Sequence, residues 1–289
     1  MPITPILIVA LACGAAAGDT YKPRDRVVLI RPVEMKTITG SMVVLSSGTT
    51  LTVETLEGER LRVAIGRVGW VAPADVIAAT QADAHFTDLI AKNPQDAVAL
   101  FARGKLRFDK GAHDEAITDF DAALKLAPNS EALTLRGFAW KRKGDKEKAM
   151  ADFNAAIELN PKEALAWRVR GATWASKADY AKALVDYSES IRIDPENPDS
   201  LHHRAVLLAM CNDDAVRNGK QAVADATKAC ELSEWKNPLY LSGLGPAYAE
   251  LGDFDAAIKW QQKASELSGF GKERIEMFKQ RKPVRVTWR

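Results

Sequence analysis

Two hydrophobic rhythms run along this chain. Between residues 20 and 78, apolar positions alternate with polar ones or gather in short β-branched runs. These are Val27-Val28-Leu29-Ile30, Met42-Val43-Val44-Leu45, Leu51-Thr52-Val53-Glu54-Thr55-Leu56 and Leu61-Arg62-Val63-Ala64-Ile65. Ser46-Ser47-Gly48 and Glu57-Gly58-Glu59 supply turns between them. Side chains of a strand point alternately to opposite faces, so the pattern predicts strands. Five short strands in about 60 residues suit a small barrel. From residue 76 the rhythm becomes helical and repeats.

The repeat shows as columns. Gly104, Gly137 and Gly171 are spaced 33 and 34 apart; Ala116, Ala149 and Ala183 keep the same spacing, as do Phe120, Phe153 and Tyr187, and Pro128, Pro161 and Pro195. Each unit reads as a helix A, a short turn, a helix B and a proline stop. A small residue midway along helix A opposite a small residue early in helix B lets the two axes approach. The aromatic one turn further along helix B fills the wider gap, and proline ends the helix because it has no N–H to donate.

These columns resemble the tetratricopeptide repeat, whose signature is a small residue in helix A, then A-x3-F and a final proline. The resemblance covers residues 76–268 and implies a superhelix of one capping helix, at 76–92 with Phe86 in the aromatic place, and five helix pairs. Unit four has Ala205 and Ala222 in the small places, 17 apart instead of 12, so five residues are inserted within 212–218; unit five returns to 12 with Gly245 and Ala257. Pro246 falls inside its helix A, at about 3 kcal/mol of helix propensity, and predicts a kink or a late start. The stretches Lys228-Ala229-Cys230-Glu231-Leu232 and Ala249-Glu250-Leu251-Gly252-Asp253-Phe254 resemble the closing module of many planctomycete tetratricopeptide proteins. Residues 269–289 are expected as a polar capping helix, near 271–280, and a basic tail. Before the repeats, Gly69-Trp70-Val71 followed by Asp75-Val76 resembles the close of bacterial SH3-like domains. The fold class is therefore α+β: an SH3-like β-barrel over 19–75, then an all-α solenoid. In that family Trp70 belongs either to the core or to a peptide groove, and some members bind peptides or cell wall.

Composition narrows the function classes. The 289 residues carry a formal net charge of only +2, so no bulk field points to nucleic acid or an anionic membrane. The three cysteines are too few for a disulfide framework and show no metal-ligand spacing. Cys230 is expected roughly 16 Å along helix B from the turn that Cys211 adjoins, too far for a bridge. At the start of the chain, Ile6–Ala17 is apolar and too short to span a membrane. Ala15 and Ala17 form an A-x-A pattern, so residues 1–18 read as a signal peptide and the chain as exported to the periplasm or cell envelope. No Lys or Arg precedes the run; without a signal peptide the chain would be cytoplasmic. Cys13 stands where a lipidated cysteine would, with Ala10 in the place usually held by Leu.

No catalytic constellation emerges. His85, His113, His202 and His203 lack an i, i+4 histidine partner, and no phosphate loop or nucleophile elbow exists. No enzyme, cofactor or metal is expected. Arg103, Arg136, Arg170 and Arg204 each precede the small residue of helix A, and Asp119, Asp152, Asp186 and Asp225 each follow the small residue of helix B by three. Unit five has Leu244 and Trp260 in those places. Joint presence and joint loss suggest an Arg–Asp pair repeated along the solenoid, within a unit or between neighbours. The family resemblance places Phe101, Lys105, Phe108, Thr134, Phe138, Lys141, Arg142, Arg168 and His202 on the concave face. That lining is basic with interleaved aromatics and suits an acidic or carboxylate-ended peptide. The expected function is a non-catalytic scaffold binding another protein. The alternative is a cell-envelope module in which the β domain holds wall peptides and the repeats are a spacer.

Overall fold

The computed structural model describes residues 21–36, 42–57, 60–64, 68–269 and 271–286. The candidate signal peptide and Cys13 lie outside them. The chain divides into two compact units between Lys92 and Asn93.

Among the described residues of the first unit seven strands form: β1 (Arg26–Leu29), β2 (Val33–Lys36), β3 (Met42–Leu45), β4 (Thr50–Glu57), β5 (Arg60–Ala64), β6 (Val68–Val71) and β7 (Val76–Ala78). They make an antiparallel sheet in the order β6-β5-β4-β1-β7 and a separate β2-β3 ladder. Among the described residues the larger sheet is open, with β6 and β7 as its edges, so the closed barrel expected from the sequence is not what forms. Alternation does the inward sorting. Val27 and Leu29, Leu51 and Val53, Leu61 and Val63, and Val71 are buried in one cluster with Met35, Leu45 and Val76. Met35 can reach it because β6 carries Gly69: a Cβ there would sit 2.6 Å from Met35 Sδ and 2.9 Å from the Lys36 carbonyl. The expected helix at 76–92 begins late. Its first residues form β7, which continues the sheet beside β1, and the helix itself, α1, runs Ala82–Lys92.

The second unit holds eleven helices among the described residues. Five antiparallel pairs, one per repeat, are α2 (Ala97–Asp109) with α3 (His113–Leu126), α4 (Ser130–Arg142) with α5 (Lys146–Leu159), α6 (Ala164–Ser176) with α7 (Tyr180–Ile193), α8 (Pro198–Met210) with α9 (Gly219–Leu232), and α10 (Pro238–Glu250) with α11 (Phe254–Ser268). Most starts are capped by the side chain the sequence puts there. Asp96, Asn129, Asp145, Asp179, Asn197, Asn218, Asn237 and Asp253 each accept a hydrogen bond from a backbone N–H of the first turn. The small columns work by contact: a Cβ on Gly104 or Gly137 would lie 2.9 or 2.7 Å from the ring of Phe120 or Phe153. Ala116, Ala149 and Ala183 are fully buried, and Tyr187 nearly so. Gly171 meets Tyr187 as Gly104 meets Phe120.

Each arginine of the charged column pairs with the aspartate of its own unit through two hydrogen bonds. Arg103 reaches Asp119 at 2.9 and 2.7 Å, Arg136 reaches Asp152 at 2.9 and 2.6 Å, Arg170 reaches Asp186 at 2.8 Å twice, and Arg204 reaches Asp225 at 2.7 and 2.9 Å. The third nitrogen of three of them crosses to helix B of the preceding unit: Arg136 to Asp121, Arg170 to Asn154 and Arg204 to Ser188.

At the end of the array the late helix start expected from Pro246 does not occur. Pro246 neither delays α10 nor interrupts it, since the helix starts at Pro238, seven residues before Gly245, as α2 starts seven before Gly104. The carbonyl that loses its partner to Pro246 belongs to Ser242, a half-buried residue. The tail after the capping helix packs on the array. After α12 (Lys272–Lys279), Val284 is buried, the Val286 N–H donates to the Met210 carbonyl at 3.0 Å, and Arg285 pairs with Glu250 at 2.7 Å. Cys211 and Cys230 are buried free thiols, and burial pushes Cys230 up to about 12.

Candidate functional site

Helix A of each unit contributes one side to a shared face. Positions one and four residues after its small column, together with the next one, carry most of the groove residues expected from the sequence. Phe108 of α2 and Phe138 of α4 meet there with ring centroids 5.4 Å apart. The Arg142 guanidinium lies 5.3 Å over the Phe138 ring, and Lys105 lies 5.8 Å over Phe101 while pairing with Glu131 at 2.6 Å. Aromatic faces attract cations, so these rings hold the charges at the groove surface.

The column three residues before the small one behaves differently. Phe101 and Thr134 are buried, at 4% and 0% exposure, and His202 at 7%. Phe101 leans on Phe120, Thr134 turns its hydroxyl back to the Ser130 carbonyl, and His202 packs against His203 and Tyr240. Packing between helices removes these three from an accessible lining. In the same column Arg168 remains half-buried and approaches Asp199 at 3.7 Å, while its Nε is buried without a hydrogen-bond partner.

Lys141 has no carboxylate partner among the described residues. Burial, then Lys146, Arg142 and Arg168 beside it, bring its amine down to about 8. A half-buried ammonium among other cations is stabilised by any anion that enters. Helix starts on this face bear acids instead: Glu131 in α4 and Asp199 in α8, the latter accepting from Tyr240 Oη at 2.8 Å. Sequence reasoning passed over Glu131, Asp199 and Tyr240 because each looks like ordinary first-turn chemistry; it took the His202–His203 pair as one groove residue and one packing residue, and His203 lies against the Tyr187 ring. The signal that would have found the two acids is their place three residues before the predicted groove residues Thr134 and His202. Among the described residues no three His, Cys, Asp or Glu gather as metal ligands, and no helix is long and apolar enough to cross a membrane.

In the β unit, a cleft of about 400 Å³ is lined by Val33, Glu34, Lys36, Arg60, Trp70 and Asp75, among others. Trp70 is half-buried and stands on the face of β6 opposite the core residue Val71.

Family models for the tetratricopeptide repeat match residues 79–131, 130–163 and 240–269. No curated protein sequence matches the chain. Among solved structures, a chain of the APC/C hetero-tetramer Cut9–Hcn1 aligns with a TM-score of 0.59 at 19% identity, over 70% of this chain and 40% of that one. This chain thus spans well under half of that protein's length. PilW, a widely conserved type IV pilus biogenesis factor, aligns at 0.57 and 19% identity, over 69% of this chain and 90% of its own. YrrB, a TPR protein with an unusual peptide-binding site, aligns at 0.51 and 17% identity, over 67% of this chain and 97% of its own. At such identities the likeness is one of fold. With the residue columns, the paired helices and the matching family models in agreement, the chain carries tetratricopeptide repeats.

Proposed function

We propose that the protein is a non-catalytic scaffold that holds a segment of another polypeptide against the helix A face of its repeats. The observation that carries this reading is the combination, on one face, of touching aromatic rings at Phe108 and Phe138 with Lys141, a cation without a carboxylate partner among the described residues, and the half-satisfied Arg168. A surface of rings and unsatisfied cations gains most from a ligand with apolar side chains and carboxylates. The fold is also the one that bears a peptide-binding site in YrrB. The partner is therefore read as acidic. Photo-crosslinking tests this. A crosslinker in place of Phe108 or Phe138 is expected to capture a protein that one in place of Leu159 or Val185, exposed on helices B, does not. The same captured set from both faces would overturn the reading.

A second reading is favoured by the cleft at Trp70: an SH3-like module binds a short wall peptide there and the repeats are a spacer in the cell envelope. Its support is the half-buried indole beside Lys36 and Arg60, together with the apolar run Ile6–Ala17 that we take as an export signal. Chains lacking either 20–75 or 76–289 separate the two readings, since only the piece that retains envelope association can hold the anchor. An intact Met1 on the native protein in a cytosolic fraction would remove the export signal.

A further inference from the structure

Positions one and four after the small column do not carry the same residue sizes along the array. Units one and two place Lys105, Phe108, Phe138 and Lys141 there, whereas units three and four place Ala172, Ala175, Val206 and Ala209. Where α2 meets α4, the rings of Phe108 and Phe138 fill the junction. Where α6 meets α8, the equivalent positions are Ala175 and Val206, and a pocket of about 180 Å³ remains. Tyr187, His202, His203 and Leu207 complete its walls. A cavity of about 150 Å³ is enough to hold a benzene ring.

The walls are suited to an apolar guest. Ala175, Tyr187 and Leu207 belong to one buried cluster, burial keeps His202 neutral, and His203 already uses Nδ1 on the Asp199 carbonyl at 2.7 Å. Charged groups lie close to these walls: Arg168 acts electrostatically on Tyr187 and His203, Lys141 acts on His203, and Asp199, 3.7 Å from Arg168, acts on both histidines. Among the described residues Lys141 has no carboxylate partner, and Arg168, though ion-paired with Asp199, keeps a buried Nε without a hydrogen-bond partner.

We propose that the pocket between α6 and α8 is the anchor subsite of the groove, taking one leucine-sized side chain of a bound peptide while an adjoining carboxylate lies on Arg168 and Lys141. This rests on the groove reading and narrows it to a peptide with an aliphatic residue next to an acidic one.

Four acetylated, amidated hexapeptides test it by fluorescence anisotropy with the full chain: Ser-Ser-Leu-Glu-Ser-Ser and its versions with Ala for Leu, Gln for Glu, or both. The Leu-Glu peptide is expected to bind at least about tenfold more tightly than the Ala-Glu peptide, the size of effect that burying one aliphatic side chain gives. Val206→Phe fills the pocket as Phe138 fills its own junction. It is expected to erase the preference for Leu while the preference for Glu over Gln persists. Ala175→Leu serves as a second filling variant, with circular dichroism confirming that each remains helical. Binding without a preference for Leu, or a preference that survives both filling variants, overturns the pocket and leaves the groove reading standing. Failure of all four peptides to bind, while crosslinkers at Phe108 and Phe138 still capture a protein, also overturns the pocket alone. Failure of both assays overturns the groove reading with it.

Discussion

Arg136 touches two repeats at once, and that sets what its loss should do. Two of its nitrogens hold Asp152 of its own unit and the third holds Asp121 of the unit before. The arginine side chain is 22% exposed and that of Asp152 10%. Burial already outweighs pairing for the equivalent Asp186, whose carboxyl sits above the usual range despite Arg170. Removing one partner from such a pair strands a desolvated charge, at on the order of 3–5 kcal/mol. Arg136→Leu alone is expected to lower the urea midpoint clearly. Arg136→Leu with Asp152→Trp, the combination unit five carries as Leu244 and Trp260, is expected to recover part of it. A double-mutant cycle with purely additive losses would show that the two residues do not act together. A second residue-scale expectation concerns acid. In the folded chain burial, then the neighbouring His203, lowers His202 to about 3, whereas an unfolded imidazole has its ordinary value of 6.5. Between those values the unfolded chain binds a proton that the folded chain refuses. Stability is therefore full above pH 6.5 and falls as pH drops below it, by about 1.4 kcal/mol per pH unit for one such histidine. Urea midpoints at pH 7.5 and 5.5 check this, and His202→Gln is expected to narrow their difference. An equal difference in the variant would mean that other groups, His85 and His203 first, carry the effect.

Elements whose identity rests on local pattern were legible in the sequence; those that depend on distant partners were not. The ten helices of the five pairs could be read from columns of Gly, Ala, aromatic and Pro, because each column reports a contact that recurs every repeat. The Arg–Asp pairing was legible for the same reason. Strands β2 and β7 were missed, because the pairing of each with β3 or β1 depends on the rest of the sheet. Groove residues were assigned by family position, which could not tell that a neighbouring helix covers Phe101, Thr134 and His202. Two elements give direct tests. Gly69→Ala in β6 places a Cβ against Met35 and the Lys36 backbone, so the first unit is expected to lose about 1–3 kcal/mol, as overpacking does. In unit five the aromatic place of α11 holds Gln261, and Phe278 of α12 lies beside Gly245 instead. Phe278→Ala is thus expected to cost about 3–5 kcal/mol in that last unit, measured by denaturant unfolding. A loss under about 1 kcal/mol, the level of an ordinary surface substitution, would mean that α12 is not part of the packed array.

At the scale of the repeat unit as a whole, the array is regular at one end and knotted together at the other. Units one to three repeat the same contacts, each packing on its neighbours, so their stability should be a sum of local terms. From unit four onward the chain folds back on itself. The lengthened turn after α8 sends Arg217 to Glu250 at the end of α10, at 2.9 Å. Glu250 also takes Arg285 of the tail, and the tail closes on the last carbonyls of α8 through Arg285 and Val286. Residues 76 positions apart are thereby tied together. Hydrogen exchange reads such differences amide by amide, since protection tracks the free energy of local opening. Amides of α8 to α10 are expected to exchange more slowly than those of α2 and α3. Removing residues 282–289 should accelerate exchange throughout α8 to α10, because it takes away the buried Val284, the Arg285–Glu250 pair and the capping of α8 together. In a nearest-neighbour array that loss dies out within a unit or so, leaving α2 to α5 as protected as before. Uniform acceleration from α2 to α12 would instead make the whole array a single cooperative block, and no change in α8 to α10 would show that the tail contacts contribute nothing to holding the end closed.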